Sequence, residues 1–574
     1  MRQRSIAVRT LIYVAAAAFF NLVYIASAQN RTANLSGQVT ANQGDVRAFR
    51  VKARDVMHRI SFMVYTGNGR YHLYNLPPSL YEVQVIEPGF ESPIQKIELK
   101  AGANSTLDLA LESKPLTSDV QLVDYDEAYP PGPGREALQR SCTGCHGKVA
   151  WLRYGPHTED EWRHMVGTMF DPSLNLVGHV HIPMVPGDDI TPEDQEAIVK
   201  YLAANLGPDS KKRSLKKDDL VRDESALSKA VYIEYELPSP PPGNTPEGHP
   251  RQRGLHSPAI DPDGVVYWSG TAASDTILRL DPRNLDFETR TKEWPMPSTT
   301  RYGAHPDGII WLNGKVYFAE NGGNGLGELD PKTEQIVRYQ TPTRGGAHTL
   351  YADSKGNIWY TVIRGGGGRI GRFNTVTHDS EDWSPLYGAI FYGIVVDKKD
   401  RVWAAGLRKS AVVGYDPKTD KFKSYFTSTV GSGPRRLAVD SKDKVWFSEY
   451  YAGMLGMIEG DTGKMTELKF PLKNTTPYDV LVDSADSIWA TDDFYESMIK
   501  FDPITKKFTY YPFPLTAQVD APKLERASDG TMWFYPRGRN STVVESFLPE
   551  GNTPKACYPW MACPERTLQK NAGH

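Results

Sequence analysis

The sequence predicts a multidomain, mainly β chain: a small β-sandwich, then an α-helical domain, then a seven-bladed β-propeller. Three observations predict this order. Apolar and polar residues alternate in short runs over residues 33–112, which is the period of half-buried strands. Amphipathic segments with helical spacing follow at 158–170 and 191–207, the second starting with a threonine and ending at a glycine. From residue 232 a unit of 42 to 50 residues recurs, as in repeat architectures.

The first 28 residues have the pattern of a secretory signal peptide. Three arginines within the first nine residues precede an apolar run, and Ala-Ser-Ala ends at Ala28, so we expect cleavage after Ala28. The alternative is an uncleaved anchor, because the apolar run approaches the length that spans a bilayer. No later segment is apolar enough to cross a membrane. We therefore expect a periplasmic or otherwise exported protein without a stable membrane span.

The amino-acid composition indicates which partners and which type of fold to expect. The formal net charge of the 574 residues is -3, which gives no electrostatic reason to expect binding to nucleic acid. The chain has 49 glycines, 42 prolines, 30 tyrosines and 12 tryptophans, as expected of a β protein with many turns.

The segment 30–115 carries a recognisable order of turns and strands. In "TGNGRYHLYNLPPSLYEVQVIEPGF", a turn at Gly69 precedes one strand, and a turn at Leu76-Pro77 precedes another over 81–85. This segment resembles carboxypeptidase regulatory-like domains, which implies a small β-sandwich with a structural or adhesive role. We assign no active residue to it. The proline-rich stretch 126–134 then acts as a stiff linker.

The motif Cys142-x-x-Cys145-His146 predicts covalently bound haem c. In this pattern the two thiols form thioethers with the haem vinyl groups, and the adjacent imidazole binds the iron. A thioredoxin-like dithiol would need a βαβ setting, and a zinc site would need a second cluster of ligands. The sequence shows neither around this motif.

The haem motif and the two amphipathic segments after it make residues 126–208 similar to class I cytochrome c. In that family a methionine shortly before the last helix supplies the sixth iron ligand, and Met184 matches its place. His179 and His181 are the alternatives. A thioether ligand raises the reduction potential relative to ligation by two histidines.

Aromatic residues mark the repeat that follows. Each enters a strand after an aspartate-containing turn, as in "PRRLAVDSKDKVWFSE" (434–449). Seven four-stranded units predict a seven-bladed β-propeller over 231–550. The strand-like segment 231–240 would complete the last blade and close the ring. The aromatic positions are Tyr267, Tyr317, Trp359, Trp403, Trp446, Trp489 and Trp533.

The repeats resemble virginiamycin B lyase and other streptogramin-lyase-like propellers. This resemblance implies a metal-dependent elimination that opens a cyclic depsipeptide, using a Glu-x-His pair and a glutamate fourteen positions further on. The later glutamate is present as Glu449, whereas Arg435 stands at the histidine position and Gly433 at the earlier glutamate position. Tyr392 stands where another functional histidine is expected.

The first residues of the innermost strands are expected to face the central channel. Three of them, His256, His305 and His348, can bind a divalent or transition metal or act as a general base, with Glu320 and Glu449 as nearby carboxylates. The alternative is that these side chains only pack between blades. Four arginines near the same mouth can receive an anion. The remaining channel positions are Tyr392, Tyr478 and Pro522. The four arginines are Arg301, Arg344, Arg435 and Arg436.

Two further cysteines, Cys557 and Cys563, lie in the tail 551–574 and predict a local disulfide in an exported protein. Taken together, the sequence favours an exported c-type haem protein that acts in electron transfer or as an oxidoreductase, with a separate redox partner protein. One alternative is a metal-dependent lyase or hydrolase with an accessory haem domain. The other is a binding module of the cell envelope.

Overall fold

The computed structural model describes most of the chain. The predicted signal peptide, the haem motif Cys142 to His146, Met184 with its alternatives His179 and His181, and the two tail cysteines Cys557 and Cys563 lie outside the described residues. The structure describes residues 32–114, 119–141, 150–170, 191–239, 254–270, 275–296, 304–323, 325–343, 345–363, 368–514, 523–536, 542–547 and 558–561.

Two packed sheets form the N-terminal region. One sheet has the order β4-β1-β9-β6 with β8 beside β1, and the other contains β3-β2-β5-β7. Alternate residues such as Leu35, Phe62 and Tyr81 are buried between the sheets, because successive side chains of a strand point to opposite faces. The strands are β1 (Ala33–Ala41), β2 (Arg50–Asp55), β3 (Ile60–Tyr65), β4 (Arg70–Leu76), β5 (Ser79–Val85), β6 (Phe90–Glu91), β7 (Gln95–Leu99), β8 (Asn104–Thr106) and β9 (Leu109–Ser113).

Short helices and a small two-stranded sheet follow. Helices form over both predicted amphipathic segments, and a capping box of Thr191 and Asp194 begins the longer one. No helix in the described ranges is long and apolar enough to cross a bilayer. The elements are β10 (Gln121–Val123), α1 (Tyr125–Ala128), α2 (Arg135–Ser141), α3 (Ala150–Tyr154), α4 (Glu159–Phe170), α5 (Pro192–Asn205), β11 (Arg213–Leu215) and α6 (Glu224–Leu227).

The predicted α-helical cytochrome c domain over 126–208 is wrong as a description of the fold. The chain is mainly β, and no such domain is evident among the described residues. The apolar cluster of the helices, which contains Trp162 and Leu202, also contains Phe494 and Tyr495 from far along the chain. The core of the helical segment is therefore continuous with the propeller.

The rest of the chain forms seven four-stranded units. Six are consecutive antiparallel sheets, and the seventh contains β37, β38, β39 and β12. The first strands of the six consecutive units contact one another in order, and the strand Leu255–Ile260 also contacts the strand Glu525–Arg526 of the seventh unit. The backbone N–H of Leu524 in the seventh unit donates to Asp479 of the sixth, so the units form a closed ring. This confirms the predicted β-propeller.

The bounds of the propeller strands are as follows. The first strand to be used is β12 (Val231–Glu236), and blades one to three contain β13 (Leu255–Ile260), β14 (Val266–Gly270), β15 (Thr276–Leu280), β16 (Thr291–Pro295), β17 (Pro306–Leu312), β18 (Lys315–Glu320), β19 (Gly325–Leu329), β20 (Ile336–Gln340), β21 (Ala347–Ala352), β22 (Asn357–Val362), β23 (Arg369–Asn374) and β24 (Ser380–Trp383). Blades four to seven contain β25 (Phe391–Val396), β26 (Val402–Gly406), β27 (Ala411–Asp416), β28 (Lys421–Phe426), β29 (Pro434–Val439), β30 (Lys444–Glu449), β31 (Met454–Glu459), β32 (Met465–Lys469), β33 (Pro477–Val482), β34 (Ile488–Asp492), β35 (Ser497–Phe501), β36 (Phe508–Pro512), β37 (Glu525–Arg526), β38 (Met532–Phe534) and β39 (Thr542–Phe547).

Strand β12 joins the propeller to the N-terminal sheets. It pairs antiparallel with β39, as the sequence predicted, and on its other edge with β3, where Ile233 lies opposite Phe62. The result is one eight-stranded sheet, β37-β38-β39-β12-β3-β2-β5-β7. Trp268 and Trp533 of the propeller also lie in the apolar core of the N-terminal sheets. The sandwich is therefore continuous with the last blade rather than a separate unit.

A hydrogen-bonded pair explains why the aromatic landmarks recur in four of the blades. In one blade the indole Nε1 of Trp446 donates to Oδ2 of Asp440 at 3.0 Å, and Oδ1 of the same aspartate accepts the backbone N–H groups of Lys442 and Lys444. The carboxylate thus fixes the turn and the tryptophan together. The equivalent pairs are Asp353 with Trp359, Asp397 with Trp403, and Asp483 with Trp489.

We predict that Asp440→Ala lowers the free energy of unfolding by about 3 kcal/mol, because three hydrogen bonds to a buried carboxylate are lost and the indole N–H stays buried. The midpoint of urea unfolding measures the effect. Asp416→Ala is the matched control: that aspartate accepts the backbone N–H of Lys418 in an outer turn without an indole partner, so the expected loss is below about 1 kcal/mol. Equal losses would contradict this explanation of the repeat.

Candidate functional site

The side chains at the starts of the innermost strands meet at the propeller axis. Strand register identifies equivalent positions in the blades. Within a blade, the first residue of the inner strand pairs with the last residue of the second strand, as Ala347 does with Val362 and Pro434 with Glu449. One residue further along each inner strand, the side chains belong to His256, Asp307, His348, Tyr392, Arg435 and Tyr478.

The structure corrects the predicted set of three equivalent histidines. Pro306 is the first residue of β17 and pairs with Glu320, so Asp307, not His305, occupies the position equivalent to His256 and His348. His305 precedes the strand with a positive φ of 46°, and its backbone N–H donates to Asp275 at 2.6 Å. Residues 301–305 and 344–348 share the pattern Arg-x-Gly-Ala-His, but the two histidines differ in strand register: His305 precedes β17, whereas His348 lies within β21.

Asp307 joins two imidazoles. Its Oδ1 lies 2.9 Å from Nδ1 of His256, and its Oδ2 lies 3.4 Å from Nε2 of His348. Asn321 donates to the same Oδ2 at 3.2 Å. Burial opposes ionisation of Asp307, but the neighbouring imidazoles, His256 foremost, hold its pKa well below the usual value. Burial also lowers the pKa of His348 to about 3, so this imidazole is neutral at physiological pH.

Among the described residues, no group of three or more His, Cys, Asp or Glu side chains is arranged to hold a metal ion. His256 and His348 instead share the carboxylate of Asp307. Each also contacts the hydroxyl of the residue that follows it, Ser257 or Thr349, at 2.9 Å.

A second group of side chains, the arginine–tyrosine cluster, consists of Tyr392, Arg435, Arg436, Tyr450 and Tyr478. The Arg435 guanidinium carbon lies 4.0 Å from the ring centroid of Tyr478, 4.3 Å from that of Tyr450 and 4.5 Å from that of Tyr392. The hydroxyls of Tyr392 and Tyr478 are 2.8 Å apart. Burial raises the pKa of Tyr392 above its usual value, so the phenol of Tyr392 is neutral beside the two guanidinium cations.

Strand register also places three buried carboxyl groups, Glu320, Glu449 and Asp492, at the ends of the second strands of three blades. Burial raises the pKa of Glu320 to about 7, of Glu449 to about 8 and of Asp492 to about 6. Neither oxygen of Glu449 has a hydrogen-bond partner within the described part of the chain, and the charge of Glu467 reinforces the shift. Glu449 is thus protonated at neutral pH.

The structure accounts for one departure from the lyase pattern. At the position of the earlier glutamate, Gly433 has a positive φ of 68°, and a Cβ built there would lie 2.4 Å from the ring of Tyr451. A glutamate would be strained at this position and would collide with that ring. In this blade the axis position is occupied by Arg435, with tyrosine rings around it.

The sequence identified part of this site and missed part. It placed His256, His348, Tyr392, Arg435 and Tyr478 at the axis, where the structure has them. Asp307 was missed because the repeat was aligned on histidine, and only strand register reveals it. Tyr450 was also missed, although an aromatic doublet directly after Glu449 is visible in the sequence. The predicted positions Arg301, Arg344 and Pro522 lie outside the described residues.

Comparisons with known proteins concern the fold. No protein-family model and no curated protein matches the chain. A streptogramin B lyase structure is similar over 55% of this chain and 98% of its own, with 20% identity and a TM-score of 0.47. A virginiamycin B lyase from Staphylococcus aureus is similar over 55% and 99%, with 20% identity and a TM-score of 0.46. A structure described as YCF48 bound to D1 peptide is similar over 55% and 94%, with 9% identity and a TM-score of 0.43.

We predict that Glu449→Gln stabilises the protein in a pH-dependent way. Below pH 4.5 the carboxyl is protonated in the folded and the unfolded state alike. As the pH rises from about 4.5 to about 8, only the unfolded state releases this proton, which costs the folded state up to about 1.4 kcal/mol per pH unit. Glutamine removes this cost, so the difference in melting temperature between variant and parent should grow from pH 5 to pH 8.

The exposed Glu98 provides the control for this measurement. Glu98→Gln should leave the melting temperature unchanged at both pH values. Parallel melting curves for Glu449→Gln and its parent across the same range would show that the buried carboxyl is ionised in the folded protein.

Proposed function

We propose that this chain is an exported c-type haem protein that transfers electrons or acts as an oxidoreductase, with the propeller as the platform for a substrate or partner. The observation that carries the proposal is the motif Cys142-x-x-Cys145-His146. Bound there, the haem would supply one-electron chemistry. The proposed sixth ligand is Met184, and the proposed partner is a separate redox protein.

The surroundings of the motif support this proposal. Helix α2 ends at Ser141, directly before Cys142, and α3 begins at Ala150. Leu138 of α2 and Trp151 of α3 lie in an apolar cluster, and apolar side chains on both sides of the motif are suitable neighbours for a porphyrin. The same cluster contains Phe494 and Tyr495, which follow the last residue of β34. A group bound at the motif would therefore be attached to the propeller through shared packing.

Haem attachment is tested on protein exported from cells that mature c-type cytochromes. We expect a haem absorption spectrum and a mass increase of one haem that survives denaturation, because thioether bonds are covalent. Replacing both Cys142 and Cys145 by serine should remove both signals. Replacing both Cys557 and Cys563 by serine is the matched control and should keep them. Colourless parent protein, with free or mutually bonded thiols at the motif, would refute the proposal.

The sixth ligand is tested by redox titration of the haem-loaded protein. We predict that Met184→His lowers the reduction potential, because an imidazole replaces a thioether on the iron. His179→Ala and His181→Ala should leave the potential unchanged. A large shift in either histidine variant, with none at Met184, would assign the ligand to that histidine.

A second candidate function is a metal-dependent lyase of the streptogramin lyase type, with the haem region as an accessory. The buried pair His256 and Asp307, 2.9 Å apart, favours it, since a carboxylate that orients an imidazole is typical of a general base. This candidate predicts that the protein opens a streptogramin B ring only when a divalent metal is added, and that Asp307→Asn abolishes the opening. An intact ring after prolonged incubation with metal would eliminate it.

A further inference from the structure

The two arginines at the axis are buried without a carboxylate partner. Arg435 is 5% exposed and Arg436 is 3% exposed, and neither forms an ion pair within the described part of the chain. Arg435 donates one hydrogen bond to the hydroxyl of Tyr392 at 3.1 Å, and Arg436 donates one to Thr349 Oγ1 at 3.0 Å. Four guanidinium nitrogens have no hydrogen-bond partner among the residues that the structure describes: Nε and Nη1 of Arg435, and Nε and Nη2 of Arg436.

Asp307 and Asp479, the two carboxylates whose charges act on Arg436, already have other partners. Asp307 binds His256, His348 and Asn321, and the oxygens of Asp479 accept the backbone N–H groups of Val480 and Leu524 at 2.9 and 2.8 Å. Both carboxylates stabilise the charge of Arg436 at a distance, but neither forms a hydrogen bond with a guanidinium. The hydrogen-bond donors that these carboxylates leave without an acceptor are the guanidinium N–H groups of Arg435 and Arg436 named above.

Tyrosine rings compensate only part of the cost of burying these cations. A cation over an aromatic face is attracted by the ring, but this attraction is smaller than the cost of burying an ion without a charged partner. Arg435 and Arg436 are also adjacent like charges. A polypeptide that buries two adjacent guanidinium groups and leaves four of their nitrogens unpartnered has the donor arrangement of an anion site.

We propose that the axis of the propeller binds an oxyanion, a carboxylate or phosphate group of a small molecule, through the guanidinium groups of Arg435 and Arg436. Planar guanidinium groups present paired N–H donors at the spacing of the oxygens in these anions. The rings of Tyr392, Tyr450 and Tyr478 surround Arg435 and fix its orientation. The hydroxyl of Tyr450 is in turn held by Asp493 at 3.0 Å, so the cluster is ordered before the anion arrives.

This site is distinct from the haem motif, and its existence does not depend on haem attachment. A metal centre binds a cation, whereas this site binds an anion, because its unpartnered groups are hydrogen-bond donors. Neutral His348 next to the cluster adds no charge, and protonated Glu449 does not compete as an anion at neutral pH. The chemistry therefore selects a negatively charged ligand.

Isothermal titration calorimetry on the full-length protein tests the proposal. Inorganic phosphate and acetate serve as separate probes at constant pH and ionic strength, with chloride as the balancing anion. We expect saturable binding of at least one probe, and the two titrations distinguish phosphate from carboxylate ligands. Replacing both Arg435 and Arg436 by lysine keeps the charge but removes the paired donors, and should weaken binding roughly tenfold or more.

The control variant is Arg372→Lys, which changes an arginine paired with Glu381 on the propeller surface and should bind as the parent does. A second measurement needs no variant at the site: the melting temperature of the parent protein should rise with the concentration of the probe that binds, because an anion bound only by the folded state stabilises that state. Absence of saturable binding by either probe in the parent protein overturns the proposal, whatever the result of the haem experiment.

Discussion

The pairing of β12 on both of its edges is the constraint on which the rest of the structure depends. This strand closes the ring by pairing with β39 and anchors the N-terminal sheets by pairing with β3. Neither edge is left open to other chains, which a propeller must avoid. Its side chains are buried on both faces, with Ile233 and Tyr235 in one apolar cluster and Tyr232 in another. Lys52 of the neighbouring sheet neutralises the buried Glu234 at 2.6 Å.

A second link fixes the same junction. The guanidinium of the buried Arg290 donates to the backbone oxygens of His58, Arg59 and Glu236. This arginine belongs to the first blade, whereas two of its three acceptors belong to the N-terminal sheets. Buried backbone carbonyl groups need hydrogen-bond donors. This one side chain donates to carbonyl oxygens of both regions. Sandwich and propeller therefore share hydrogen bonds as well as a sheet and a core.

Closure of the ring is what brings charged side chains together at the axis. His256, Asp307 and His348 come from three blades, and the arginine–tyrosine cluster spans three more. The contact of Arg435 with Tyr450 lies within one blade, whereas the contacts between blades exist only because the neighbouring blades are in place. The same enclosure removes water, which shifts the pKa values of His348 and Glu449 toward their neutral forms. Burial thus determines the charge available for chemistry.

The sequence by itself determined the features that repeat or are local: the propeller, the closing strand within 231–240, the helices within 158–170 and 191–207, and the aspartate-containing turn before each aromatic residue. These features follow from the periodic spacing of residue types along the sequence. Tertiary structure alone decided that Asp307 replaces His305 at the axis, since a shift of strand register leaves no trace in a motif. It also decided that the apolar cluster of the helical segment is continuous with a blade hundreds of residues away, because Phe494 and Tyr495 pack into it.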